Sequence, residues 1–289
     1  MVRDPGTVPA DLEARRAHYD SINARRLAEA VRLHPASVTS GKIAGVAVHE
    51  VRPAGRASAG TLVCLHGGAF LWGAGAGAVL EAMPVAAATG MRVVAVDYAL
   101  APEHPYPAAV EDVLAVIASL RAEGAGRLGV YGCSAGAWLT AQVVARLSAD
   151  GLAVPDAVAM LHGSGLDVGG DSLGLAAQLN GTPAAADIAR MHDLPYFTGT
   201  DPADPLVFPG EHPDVLAAFP PSLLITGTRD FAAGSVSVMH RRLAAADVDA
   251  RLFLFDGLWH AHHVDTGLPE AREVYAIMAH FFGRHLADA

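Results

Sequence analysis

The chain has 289 residues, 52% of them hydrophobic and 17% charged, with a net charge of −10. That length is enough for one large domain with a substantial core, and the acidic balance argues against nucleic acid or an anionic membrane surface as a partner. No apolar run approaches the ~18 residues of a membrane span. Arg3, Asp4, Glu13, Arg15 and Arg16 interrupt the N-terminal stretch, so no secretory leader is expected and the cytoplasm is the expected compartment. Cys64 and Cys133 then read as buried, reduced thiols.

From Pro9 to Leu33, apolar positions alternate with many charges, which suits an exposed amphipathic helix or two. Residues 1–40 are read as an N-terminal helical segment that shares in a cap. Val46 to Val51 reads as an edge strand. Strands and helices then alternate: Thr61 to Leu65, a helix around Gly77 to Ala88, Arg92 to Asp97, and a helix from Pro107. In that last helix Val110, Val113, Leu114, Ile117 and Leu120 keep the spacing of one buried face. The run Leu128 to Tyr131 leads into an alanine-rich helix that continues to Leu147, and Ala157 to Leu161 is the next strand. Such alternation predicts a mainly parallel sheet covered on both faces. Residues 163–220 break the rhythm with Gly, Pro, Asp and Ala and no convincing strand, as a cap or lid insertion would. The body resumes at 221–289 with Pro221 to Gly227 and Arg251 to Phe255, so 41–162 and 221–289 form one catalytic domain.

The chemistry concentrates at strand ends. Gly132-Cys133-Ser134-Ala135-Gly136 follows a strand and opens a helix. A serine on so sharp a turn needs neighbours without side chains, which Gly132 and Gly136 supply, and its hydroxyl then stands at a helix N-terminus that favours negative charge. Upstream, Thr61 to Leu65 runs into His66-Gly67-Gly68-Ala69-Phe70, a loop suited to donating backbone N–H groups. A serine needs a base, and the base an orienting acid. Asp230 and His260 each follow a late strand, where open α/β sheets place their ligands. Asp256 is the rival acid, but its place on the loop that carries His260 favours a turn role. His262, His263 and Asp265 beside His260 have metal-ligand chemistry, but no His-Glu-x-x-His pattern or second ligand cluster accompanies them, so no metal is assigned and they are read as wall or surface residues.

The run Ala95-Val96-Asp97-Tyr98-Ala99-Leu100-Ala101-Pro102-Glu103-His104-Pro105-Tyr106-Pro107-Ala108-Ala109 resembles the segment after the oxyanion loop in the hormone-sensitive lipase family of α/β-hydrolases, which includes many bacterial carboxylesterases. Together with His66-Gly67-Gly68, Gly132 to Gly136, Asp230 and His260, the likeness runs from about residue 60 to the C-terminus. It implies an α/β-hydrolase fold with a helical cap and no cofactor. It also implies a triad of Ser134, Asp230 and His260, with the N–H groups of Gly68, Ala69 and Ala135 as the oxyanion hole.

The chain departs from the family at four places. Ala69 stands where a third glycine is usual, Cys133 where an acid is usual, Ala99 where an arginine is common, and Ala261-His262 where Gly-Phe usually follows the histidine. Phe70, Trp72 and Trp259 are the expected pocket residues, with Met191, Tyr196, Phe197 and Phe208 as cap residues that could also line it. The expected reaction is two-step hydrolysis of small-molecule esters with short to medium acyl chains, with an acid limb near about pH 6–7 where an imidazole titrates. Amidase, lyase and non-enzymatic ligand-receptor readings of the same fold stay open, as does the oligomeric state, a homodimer included.

Overall fold

The computed structural model describes residues 8–55, 58–179 and 190–287. Helix α1 (Leu12–Leu33) starts where the Asp11 side chain accepts from the Ala14 N–H at 2.9 Å. Strands β1 (Ala36–Ile43) and β2 (Val46–Pro53) then form an antiparallel hairpin. Its turn is Ala44-Gly45 with φ of 49° and 88°, the two positive values a tight two-residue hairpin needs. The edge of the sheet is therefore β1, and β2 is its second strand. The edge is thus not Val46 to Val51, as the sequence suggests, but β1, whose residues are almost all exposed and so lack the alternation that marks a half-buried strand.

The rest follows the expected alternation: β3 (Thr61–Leu65), α2 (Ala76–Thr89), β4 (Arg92–Val96), α3 (Ala108–Ala122), β5 (Leu128–Cys133), α4 (Ala135–Ala149) and β6 (Ala157–Leu161). After the intervening segment come β7 (Ser222–Arg229), α7 (Ala233–Ala245), β8 (Ala250–Trp259) and α8 (Pro269–Leu286). The strands lie in the order β1-β2-β4-β3-β5-β6-β7-β8; β2 runs antiparallel to both of its neighbours, β1 and β4, and the remaining pairs are parallel. Strands β3, β5 and β6 are buried along their whole length, as strands covered on both faces must be.

Successive residues feed opposite faces of the sheet. Val63, Leu65, Val94, Val96, Val130 and Met160 pack under α3, α4 and α7, while Leu62, Cys64, Val93, Ala95, Tyr131 and Leu161 pack under α2 and α8. Because β3 and β5 to β8 are parallel and in register, their C-terminal ends meet along one edge of the sheet. His66, Ser134, His162, Asp230 and His260 all leave strands at that edge.

Between β6 and β7 the described residues form α5 (Asp171–Leu179), three 3-10 turns and the short α6 (Pro213–Leu216), with no strand among them. Tyr196, Phe197 and Phe208 are buried there and pack on one another and on Phe70: the rings of Phe70 and Tyr196 stack at 3.7 Å, and those of Phe197 and Phe208 at 5.2 Å. No described helix is long and apolar enough to cross a membrane.

Candidate active site

The turn at the end of β5 holds Ser134 at φ 52° and ψ −122°, a conformation that L-residues rarely adopt. Both flanking glycines are required by contact. A Cβ on Gly132 would lie 2.1 Å from the Gly136 carbonyl oxygen, and one on Gly136 would lie 1.8 Å from the Leu65 oxygen. The chain can thus reverse from strand to helix against β3 only with hydrogen at both positions. Ser134 caps the N-terminus of α4, and its own N–H donates to the Leu161 carbonyl at 2.8 Å.

Ser134 Oγ lies 2.9 Å from His260 Nε2, and His260 Nδ1 lies 2.7 Å from Asp230 Oδ1. Nδ1 must carry a proton to bond a carboxylate, which leaves Nε2 free to accept from the serine hydroxyl. Asp230 is fully buried and its oxygens are saturated: Oδ1 also accepts from the Ala232 N–H at 2.9 Å, and Oδ2 accepts from Thr226 Oγ1 at 2.8 Å and His162 Nδ1 at 2.7 Å. Burial pushes this carboxyl up, but the two imidazoles outweigh burial and hold it well below the usual carboxylate range. The Phe231 ring stacks on His260 at 4.3 Å. Asp256 stays exposed and away from the histidine, but it lies within β8 rather than on a turn, and accepts from Thr228 Oγ1 of β7 at 3.2 Å.

His162 was missed at the sequence level. A lone histidine after a buried strand carries little signal, but it leaves β6 at the same edge as the other site residues. His262 and His263, read as wall or surface residues, are instead buried against it, His263 stacked on His162 at 5.4 Å and His262 edge-on at 4.9 Å. Burial pushes all three below the usual imidazole range, His262 to about 4, so they are neutral at ordinary pH. Neutral imidazoles can pack together without mutual repulsion.

The loop after β3 presses against this turn. A Cβ on Gly67 would sit 3.4 Å from Ser134 Cβ and 3.2 Å from the Cys133 oxygen. His66 supports the loop from below, its Nδ1 bonding the Gly67 carbonyl and its ring stacked at 4.2 Å on Tyr98, whose hydroxyl donates to the His66 carbonyl at 2.6 Å. Gly68 has φ 126° and its missing side chain makes room for the Trp72 carbonyl, 2.0 Å from where a Cβ would stand. Ala69 and Phe70 follow at φ 53° and 61°, so Ala69 takes up the left-handed backbone that its Cβ penalises. No acceptor among the described residues takes up the N–H groups of Gly68, Ala69 or Ala135.

A carboxyl group does lie behind the elbow although Cys133 replaces the usual acid. Glu81, on α2, accepts from the Gly67 N–H at 2.8 Å through Oε1, and its Oε2 is buried without a partner. Burial raises it to about 8, so it is protonated at neutral pH. Its sequence signal was a single acid within the apolar run of α2. Cys133 and His263 lie beside it, with ligand-type atoms of the three within 4.8 Å of one another; His162, Asp230 and His260 form the only other such group among the described residues, and those three are already hydrogen-bonded together. An arginine also reaches the segment where Ala99 departs from the family. Arg16 of α1 donates to the Leu71 and Ala101 carbonyls at 2.7 and 2.9 Å and pairs with Glu103 at 2.7 Å.

Of the three expected pocket residues, Phe70 is corrected. It is wholly buried between Tyr98, Tyr196 and Phe197, because the positive φ at Ala69 and Phe70 turns its ring into the interior. Trp72 is partly exposed and stacks on Tyr19 of α1 at 4.4 Å; Trp259, the last residue of β8, is also partly exposed beside His260.

A family model described as the alpha/beta hydrolase fold matches residues 62–264. LipR of Mycobacterium tuberculosis is 31% identical over 84% of this chain and 79% of that protein, and an acetyl-hydrolase of Streptomyces hygroscopicus is 31% identical over 80% and 77%. Among solved structures, esterase E25 superposes with a TM-score of 0.82 at 31% identity, covering 96% of this chain and 88% of that one. An esterase from the bacterial hormone-sensitive lipase family reaches 0.86 at 25% identity, covering 99% and 96%. Fold, strand-end geometry and these likenesses agree: the chain belongs to the α/β-hydrolase fold family and, within it, to the bacterial hormone-sensitive lipase group.

Proposed function

We propose that this protein is a serine carboxylesterase that cleaves small-molecule esters through a covalent acyl-enzyme. The observation that carries the reading is the chain of contacts Ser134 Oγ, His260 Nε2, His260 Nδ1, Asp230 Oδ1, at 2.9 and 2.7 Å, built on a serine held at positive φ. His260 takes the serine proton as Oγ attacks the ester carbonyl, and Asp230 steadies the imidazolium. The amides of Gly68, Ala69 and Ala135 receive the developing oxyanion. The C–O bond to the alcohol then breaks, with His260 returning the proton to the departing oxygen. Water, deprotonated by the same imidazole, releases the acid.

Short acyl groups are the proposed substrates. The aromatic rings that could have walled a deep pocket, Phe70, Tyr196, Phe197 and Phe208, fill the interior against one another, and the S. hygroscopicus relative bears the name acetyl-hydrolase. The proposed cap comprises α1 and the described parts of 163–220; the stack of Tyr19 on Trp72 brings α1 to the loop that binds the ester. Trp72 and Trp259 are the proposed contacts to substrate.

Hydrolysis of p-nitrophenyl esters from acetate to palmitate, by the parent and by Ser134→Ala, tests this. Turnover should fall with chain length and vanish in the variant. Turnover of anilides in preference to esters would make the protein an amidase, and release of cyanide from cyanohydrins without ester turnover would make it a lyase.

A further inference from the structure

Asp230 serves two imidazoles. His260 bonds Oδ1 and His162 bonds Oδ2, each at 2.7 Å, and each oxygen has one further donor, the Ala232 N–H on one side and Thr226 Oγ1 on the other. The proposed mechanism uses only the first imidazole. The second is fixed in place: His162 is fully buried, its N–H donates to the Ile225 carbonyl at 2.7 Å, and its backbone stands at φ 56°. Just beyond it, Gly163 has no room for a side chain, since a Cβ there would lie 2.6 Å from Trp138 and 2.8 Å from the Ser134 carbonyl. A residue held this firmly, in a backbone conformation unfavourable to it, acts as a post.

We infer that His162 is a positioning residue for the ester-cleaving reaction: its Nδ1–H locks the Asp230 carboxylate so that Oδ1 faces His260, and it draws off part of the charge that would otherwise act on His260 alone. The inference rests on the proposed triad. Two consequences have definite signs. Without the donor the carboxylate keeps only the Thr226 hydroxyl on Oδ2 and gains freedom to rotate, so kcat falls. The charge no longer shared with His162 then falls on His260, holding its imidazolium more tightly, so the acid limb of the kcat/KM profile moves to higher pH.

The groups facing this pair come from several elements. Asp230 and Thr226 belong to β7 and its end; His260, His262 and His263 follow β8; Ser134 and Cys133 come from the elbow. Glu81 of α2 lies beside His263, and Arg26 of α1 acts on His263 from the far side. None of the last three donates to Asp230, so substitution at 162 alters the carboxylate directly.

The test compares His162→Leu, which keeps bulk without a donor, with His162→Asn, whose amide N–H occupies nearly the place of Nδ1 and which tolerates positive φ. Rates on p-nitrophenyl acetate from pH 5 to 9 should show, for the leucine variant, kcat down about tenfold with KM within about twofold, and the acid limb raised by roughly half a pH unit or more. The asparagine variant should keep the parental limb and lie within about threefold of parental kcat. Low-field proton NMR, which does not depend on the leucine variant folding, should show two imidazole N–H signals in the parent and one in His162→Asn. Parental kinetics in the leucine variant, equal losses in both variants, or a single low-field signal in the parent would overturn the inference. Ser134→Ala is run alongside: ester turnover that survives it would remove the esterase reading and this inference together, whereas the outcomes just named remove the inference alone.

Discussion

Replacing Glu81 with glutamine should make the protein more stable at alkaline pH, and the gap between variant and parent should itself depend on pH. In the unfolded chain this carboxyl ionises near 4.5, whereas burial in the fold raises it to about 8. Between those values the unfolded chain releases a proton that the folded chain retains, so parental stability is lost as pH climbs through the window, and the loss is complete above about 8. The window is roughly 3.5 pH units wide, and at about 1.4 kcal/mol per unit the ceiling is about 5 kcal/mol; relaxation around a buried group makes about 2–3 kcal/mol the expected reading.

Glutamine carries no such linkage. Its carbonyl can still accept from the Gly67 N–H, and its NH2 occupies the place of Oε2, which has no partner in the parent. The buried histidines, all shifted downward, change stability in the opposite sense at lower pH, but they are common to both proteins and cancel in the difference. The assay is urea denaturation of both proteins at intervals from pH 5 to 9.5. A stability gap that stays constant over that range would refute the claim that the Glu81 carboxyl is buried and neutral.

Three further outcomes follow from the loop after β3 and the aromatic cluster it feeds. Gly68→Ala should cost at least about a hundredfold in kcat, because its Cβ would meet the Trp72 carbonyl at 2.0 Å and displace the loop. Ala69→Gly should leave activity near parental and raise thermal stability by about 0.5 kcal/mol, since relief of a left-handed alanine slightly exceeds the entropy of glycine; ester assays and thermal unfolding decide both. Phe70→Ala should lower stability by about 3–5 kcal/mol on denaturation, as expected for emptying a packed aromatic site; an effect confined to ester selectivity would return Phe70 to the pocket wall.

The parallel part of the fold was legible because apolar runs and helical spacing report burial directly, and burial is what holds β3 to β8 together. Ser134, Asp230 and His260 were legible for a related reason: each follows a strand whose end could be read, and parallel strands bring their ends to one edge. Strand β1 was not, since only Ala36 and Ile43 at its ends pack against the core, pairing with β2 places the rest, and its exposed side chains leave no pattern. His162 obeyed the strand-end rule but had no motif around it. Glu81 and the His262–His263 pair were opaque for another reason: the sequence shows a polar side chain, while its burial is decided by helices and loops distant in the chain. Phe70 was misplaced because periodicity carries no information about two consecutive left-handed residues.

The hold of Arg16 on the loop and on the segment after β4 places the burden of inheritance unevenly. Two of its partners are main-chain oxygens, of Leu71 and Ala101, and a carbonyl is present whatever codon is used there. Drift at positions 71 and 101 therefore leaves the clasp intact, while a single change at position 16 opens it. A recombination that exchanged the N-terminal helix between relatives would have to bring Arg16 with it, along with Tyr19, which stacks on Trp72, and Arg26, which pairs with Asp265, whereas the receiving chain need supply only carbonyls at 71 and 101.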